Sequence, residues 1–302
     1  MNRQPAAVLI VGFVTKQVEQ LGVGQRDEEV ESIVGVADDD KQRGFTITEL
    51  IQLQLIVGGQ VAQLFDVERR EPGAAADENG FCCFAGTDVG KTYVTGLIVK
   101  KLRENKKNAA YYKAAMSGND RRADGSLIPG DALQVKNASG IEQSLEEMCP
   151  YVYETAVSPH LASKLEGNPV EMERVLKGFD DVCGRYDYVT AEGSGGILCP
   201  LRFDKQKIQL EDFIKARYLS CLMIADAGLG TINAVVLTAE YMKAHHIPVK
   251  GIIFNHYEQG NTLHEDNLFM CEYMTGLKVL ACVKDGDTDL DIPSEVLESL
   301  YG

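Results

Sequence analysis

Three runs in the second half of the chain, CLMIAD (221–226), VKGIIFN (249–255) and LKVLACV (277–283), carry apolar residues in succession rather than in strict alternation, and YDYVTAE (186–192) reads as a further buried strand. A strand with one wet face alternates, whereas a strand covered on both faces does not. TINAVVLTAEYMKAHH and LHEDNLFMCEYMTG, which separate the later runs, read as amphipathic helices. Further upstream, YVTGLIVKKLREN has helical spacing at Val94, Leu97, Ile98 and Leu102, and AAYYK reads as a short strand. PVEMERVLKGFDDVCGRY reads as a helix with Pro169 near its start. Buried strands alternating with helices predict an α/β fold, a parallel sheet flanked by helices on both faces. Ligands of such sheets sit at the carboxyl ends of the strands.

One motif falls at such a place. In GTDVGKT, residues Gly90, Lys91 and Thr92 open the first helix, where unpaired backbone N–H groups and the helix dipole attract an anion. In a P-loop nucleotide site Lys91 reaches the β and γ phosphates and the Thr92 hydroxyl ligates Mg²⁺. The pattern GxxxxGK[ST] wants its first glycine at position 85, which is Ala85. Taken alone, the motif is incomplete, and GKT also reads as a helix start after a buried strand.

Other candidates surround it. YDYVTAEGSGG ends a buried strand in Glu192 and then a glycine cluster, a carboxylate where a nucleotide's metal needs oxygen, or simply an acidic turn. Asp131 in PGDALQ heads a helical run, as a capping residue or a metal ligand. Lys113 ends a short strand with Ser117 close behind; beside bound phosphate it becomes a second positive charge on a transferring group, and elsewhere a solvated lysine.

Together GTDVGKT, YYKAAMSG, GDAL, SPHLAS, AEGSGG, GLGTINAVVLTA and IIFNH occur in the order and approximate spacing of the dethiobiotin synthetases, and the chain resembles that family from residue 86 to about 290. The family loop reads GTxTxVGKT, so Phe84 and Ala85 replace its opening Gly and Thr. The resemblance implies an ATP-dependent cyclo-ligase of biotin biosynthesis, a cytoplasmic homodimer. It takes 7,8-diaminononanoate, CO2 and ATP with Mg²⁺, and passes through a carbamate and a carbamic–phosphoric anhydride. It assigns Lys91, Lys113, Thr87 and Ser117 to catalysis, and Thr92, Asp131 and Glu192 to Mg²⁺. Asp88, Val89, Gly90, Lys91, Thr92 and the adenine-reading Asn255 fall to the nucleotide. Ser117, Gly195 and Asn233 fall to the diamine, Asn233 across the dimer interface. Two other readings stand beside it: a related ATP-dependent amidating ligase, and a non-catalytic nucleotide-binding module with a disabled loop.

Composition sets the outer bounds. A net charge of −15 argues against a broad nucleic-acid footprint. The apolar runs are too short for a membrane span, and eight cysteines without a CxxC pair read as reduced thiols. His160 in SPHLAS reads as structural, behind Ser158 as N-cap and Pro159 in the first turn, and His245 and His246 as a solvated helix end. Residues 1–80 hold nine of the 14 glutamines and none of the 12 tyrosines, so the chain divides into an N-terminal extension, 1–80, and a P-loop ligase domain, 81–302. The extension contains strand-like runs, AAVLIVGFV and ITELIQLQLIVGG, and is either a small added module or a stretch read from a wrong start or frame.

Overall fold

The structure is a computed structural model; it describes the backbone of residues 6–12 and 81–83 and all atoms of residues 89–301. Expectations resting on Thr87, Asp88, the Phe84–Ala85 loop start and ITELIQLQLIVGG lie outside the described residues.

One parallel sheet organises the molecule. Its strands are β1 (Ala6–Gly12), β2 (Phe81–Cys83), β3 (Ala109–Lys113), β4 (Tyr188–Glu192), β7 (Ser220–Asp226), β8 (Val249–Asn255) and β9 (Val279–Cys282). From one edge, β3 pairs with β4, β7 with β8 and β8 with β9, all in parallel. Between β4 and β7 two segments hold the same register. Leu9 of β1 and Cys82 of β2 each stand opposite both Ala191 and Cys221, and Ile10 and Cys83 each stand opposite Glu192. The short antiparallel pair β5 (Pro200–Phe203) and β6 (Lys207–Gln209) lies outside the sheet.

Helices α1 (Lys91–Glu104), α2 (Gly130–Ser139), α3 (Leu145–Met148) and α4 (Pro159–Leu165) come first in the chain. They are followed by α5 (Met172–Cys183), α6 (Leu210–Ala216), α7 (Thr231–Ala244), α8 (Thr262–Thr275) and α9 (Ser294–Ser299). The predicted spacing of α1 holds, with Val94, Leu97, Ile98 and Leu102 all in the core. Helix α5 starts later than Pro169 suggests. Glu171 is still extended at φ −113° and ψ 125°, so the proline stands ahead of the N-cap. Ser158 is the N-cap of α4 with Pro159 behind it, but its hydroxyl bonds Nδ1 of His160 at 3.0 Å instead of a backbone N–H. His245, at the end of α7, stacks on Tyr241 and lies 3.4 Å from the Glu211 carboxylate, so it is less solvated than expected. None of Cys149, Cys183, Cys199, Cys221, Cys271 and Cys282 is in a disulfide.

Strand β3 positions the side chains closest to the chemistry. Its residues are all buried although it is the edge strand, and on its outer side the side chain of Gln143 completes the hydrogen bonding of Tyr111. The Gln143 amide accepts from the Tyr111 N–H at 2.9 Å and donates to the Tyr111 carbonyl at 3.0 Å, as a further strand would. Successive side chains then leave β3 on opposite faces. Tyr112 enters an aromatic cluster with Phe179 and Phe213, while Tyr111 and Lys113 share the other face.

Candidate active site

Helix α1 begins at a left-handed Gly90, φ +78°, and the position admits no side chain: a Cβ there would lie 2.2 Å from Nδ2 of Asn255. Asn255 ends β8, and its amide donates to the Val89 carbonyl at 3.0 Å, tying the turn to the sheet. Its Oδ1 is buried without a partner among the described residues. An orphaned acceptor of that kind is costly unless a ligand supplies a donor. His256 comes next at φ +56°; its Nε2 accepts from Asn255 at 3.1 Å, and its Nδ1 is 2.5 Å from Asp285.

Lys91, in the first turn of α1, is buried, and that burial together with Lys113 pulls its pKa down to about 8, against the carboxylates of Glu192 and Asp131. Lys113 ends β3 directly opposite Glu192 in β4. Its ammonium sits 2.6 Å from Asp131 Oδ2 and 2.6 Å from Glu192 Oε1. Burial alone would lower the Lys113 pKa, yet the two carboxylates raise it above its ordinary value. Asp131 is held below the usual carboxylate range chiefly by Lys113, against its own burial. It therefore has a partner more specific than a helix cap, and α2 takes no side-chain cap from its flank. Glu192 is fully buried and fully engaged. Oε1 accepts from the Thr92 hydroxyl at 2.9 Å and from Lys113, and Oε2 accepts from the Tyr111 hydroxyl at 3.0 Å. Burial and the Glu192 charge push the Tyr111 pKa well up, so the phenol stays a donor.

These groups open on one cleft of about 590 Å³ at the carboxyl ends of the strands, a size usual for a small-molecule site. Gly90, Thr92, Ser117 and Gly195 line it together with the lysines and carboxylates. Gly195 has φ +140°, and a Cβ there would meet Cys199 at 3.1 Å, so the backbone comes bare to the cleft. Val89 and Asn255 are buried behind the wall. Asn233 is exposed in the first turn of α7 and is not a lining residue of this cleft. Sequence reasoning missed Tyr111, Tyr93, Gln134, Ser194 and His256 among the residues at the site. Of these, Tyr111, Ser194 and His256 had a signal, their places in YYKAAMSG, AEGSGG and IIFNH.

Among the described residues no three His, Cys, Asp or Glu side chains gather as a metal cage. Asp131, Glu192 and the Thr92 hydroxyl instead form an open set of hard oxygen donors, and a cation, the Lys113 ammonium, already lies between the two carboxylates. Such a set fits Mg²⁺, which keeps waters and phosphate oxygens in its shell.

Ammonium groups and a helix N-terminus turned toward one cleft at the end of a parallel sheet serve phosphates, and with this topology they make the chain a P-loop nucleotide-binding protein. Residues 85–288 match the family described as AAA domain. The ATP-dependent dethiobiotin synthetase BioD of Clostridium botulinum (strain Loch Maree / Type A3) is 46% identical over 221 residues, covering 73% of this chain and 96% of the relative. That of Brachyspira hyodysenteriae (strain ATCC 49526 / WA1) is 46% identical over 222 residues, covering 73% and 97%. The chain belongs to the dethiobiotin synthetase family. Of solved structures, a ParA family ATPase from Chlorobium tepidum TLS is 13% identical over 71% of this chain and 86% of its own, at a TM-score of 0.43.

Proposed function

We propose that this chain closes the cyclic urea of dethiobiotin from 7,8-diaminononanoate, CO2 and ATP, as a cytoplasmic homodimer. One amine adds to CO2 and loses a proton to give a carbamate. A carbamate oxygen then attacks the γ-phosphorus as ADP leaves, and the second amine attacks the carbamoyl carbon as phosphate leaves. Each stage concentrates negative charge on neighbouring oxygens, so the protein's work is to position the reactants and neutralise that charge.

The observation that carries this reading is the juxtaposition of Lys113 with Asp131 and Glu192 in the cleft that Lys91 and Thr92 enter from α1. Lys91 takes phosphate oxygens at the helix N-terminus. Lys113 swings from its carboxylates onto the transferring phosphoryl and carbamate oxygens, with Thr87 and Ser117 as hydrogen-bond donors. Thr92, Asp131 and Glu192 hold Mg²⁺, which when bound neutralises phosphate charge as a Lewis acid. Asp88, Val89 and Gly90 follow the phosphates with backbone groups. Asn255 offers its unpartnered Oδ1 to the adenine amino group. The bare backbone at Gly195 accommodates the diamine chain. Asn233 reaches the carboxylate of a diamine bound to a second copy; the exposure of Leu229 and Leu237 beside it favours a covering partner. Residues 81–302 form the ligase domain and 1–80 an extension, which agrees with relatives that align almost entire within 73% of the chain. No described helix is long and apolar enough to cross a membrane.

Replacing Lys113 with Ala is the direct test. Single electrostatic contacts of this kind contribute about 10²–10³-fold to turnover. Steady-state kinetics should show a loss of that order in kcat, while calorimetric affinity for a non-hydrolysable ATP analogue changes much less. Equal losses in both would remove Lys113 from the chemical step.

A further inference from the structure

The two oxygens of Glu192 are not equivalent. Oε1 accepts from Thr92 and from Lys113, and under the proposed ligase function, on which this inference rests, both donors take new partners when metal and nucleotide arrive. Oε2 accepts from Tyr111, which nothing in that chemistry calls away. Glu192 is buried without exposed surface, so a carboxylate deprived of its Oε1 donors would have no solvent to orient it.

We propose that Tyr111 is a positioning residue: its hydroxyl holds Oε2 of Glu192 so that Oε1 stays aimed at the metal as Lys113 and Thr92 change partners. The residue suits that task because its own freedom is small. Its ring is fully buried, and both its backbone groups are clamped by the Gln143 side chain at 2.9 and 3.0 Å. It also stands on the same face of β3 as Lys113, so one short strand carries both the cation that leaves Glu192 and the hydroxyl that stays.

The experiment compares the full-length wild type with Tyr111→Phe, Tyr112→Phe and Glu192→Gln. Mn²⁺ binding is titrated in the presence of a non-hydrolysable ATP analogue, and analogue binding is measured separately in EDTA. Loss of a hydrogen bond that orients a metal ligand weakens metal affinity about 10–100-fold. Tyr111→Phe should lose Mn²⁺ affinity in that range, with metal-free nucleotide affinity within about twofold of wild type and turnover recovering at high metal. Tyr112→Phe removes a buried hydroxyl from the opposite face, one that donates to the Val175 carbonyl, and should leave Mn²⁺ affinity unchanged. If Glu192→Gln loses the metal while Tyr111→Phe keeps it, the role of Tyr111 is overturned and the metal site stands. Equal weakening by both tyrosine variants would show a merely structural effect and overturn it as well. If Glu192→Gln binds Mn²⁺ like wild type, the metal site itself falls, and this inference with it.

Discussion

Tyr111 and Tyr112 are neighbours in sequence, both fully buried in β3, and they do opposite work. Tyr112 packs edge-on to Phe179, ring centroids 5.4 Å apart, and caps the Val175 carbonyl of α5 at 2.6 Å. Tyr111 turns its hydroxyl to a carboxylate beneath the cleft. One face of the strand therefore holds the fold together and the other prepares the chemistry. A single-residue slip in register would exchange them, because side chains alternate with a period of two.

The sharpest way to break that division is Tyr112→Ala. Removing a buried aromatic costs about 3–5 kcal/mol, so thermal unfolding should shift strongly downward while the protein that remains folded keeps its nucleotide affinity. Loss of that affinity in the folded protein would show that the two faces are not independent. Gln143→Ala comes next and strikes both faces at once. It leaves the N–H and carbonyl of Tyr111 without partners, at about 1–3 kcal/mol for each buried group. Denaturant titration should register the loss, and the Mn²⁺ titration should weaken with it.

The smallest effect concerns Lys91 on the chemical side. Its folded pKa of about 8 lies below the ordinary 10.5, first through burial and then through Lys113. The unfolded chain therefore binds more protons between those values. The charged Lys91 costs stability in full below pH 8, and that cost fades as pH rises toward 10.5. In the ligand-free protein the amine should acylate half-maximally near pH 8, as monitored by mass spectrometry, with bound nucleotide protecting it. Modification only near the pH of ordinary surface lysines would contradict the buried, like-charged setting.

Much of this was legible in the sequence for a simple reason. Strands buried on both faces need unbroken apolar runs, and CLMIAD and VKGIIFN supply them, so β7 and β8 fall where expected. Gly90, Lys91 and Thr92 were legible because a phosphate site needs local residues in a fixed order. Asp131 was ambiguous because its partner Lys113 lies 18 residues upstream, before a long connection, and only folding closes that distance. AAYYK announces a buried strand without saying which tyrosine faces the cleft. That depends on register with β4, where Lys113 meets Glu192. The β5–β6 pair, with Phe203 exposed, buries too little on either face to leave a pattern.

The Gln143 clamp on β3 has a consequence for how copies of this protein meet in concentrated solution. With the N–H and carbonyl of Tyr111 already engaged by a side chain at 2.9 and 3.0 Å, the outer rim of the sheet offers a stray strand no open rung at that residue, and edge-to-edge association is blunted there.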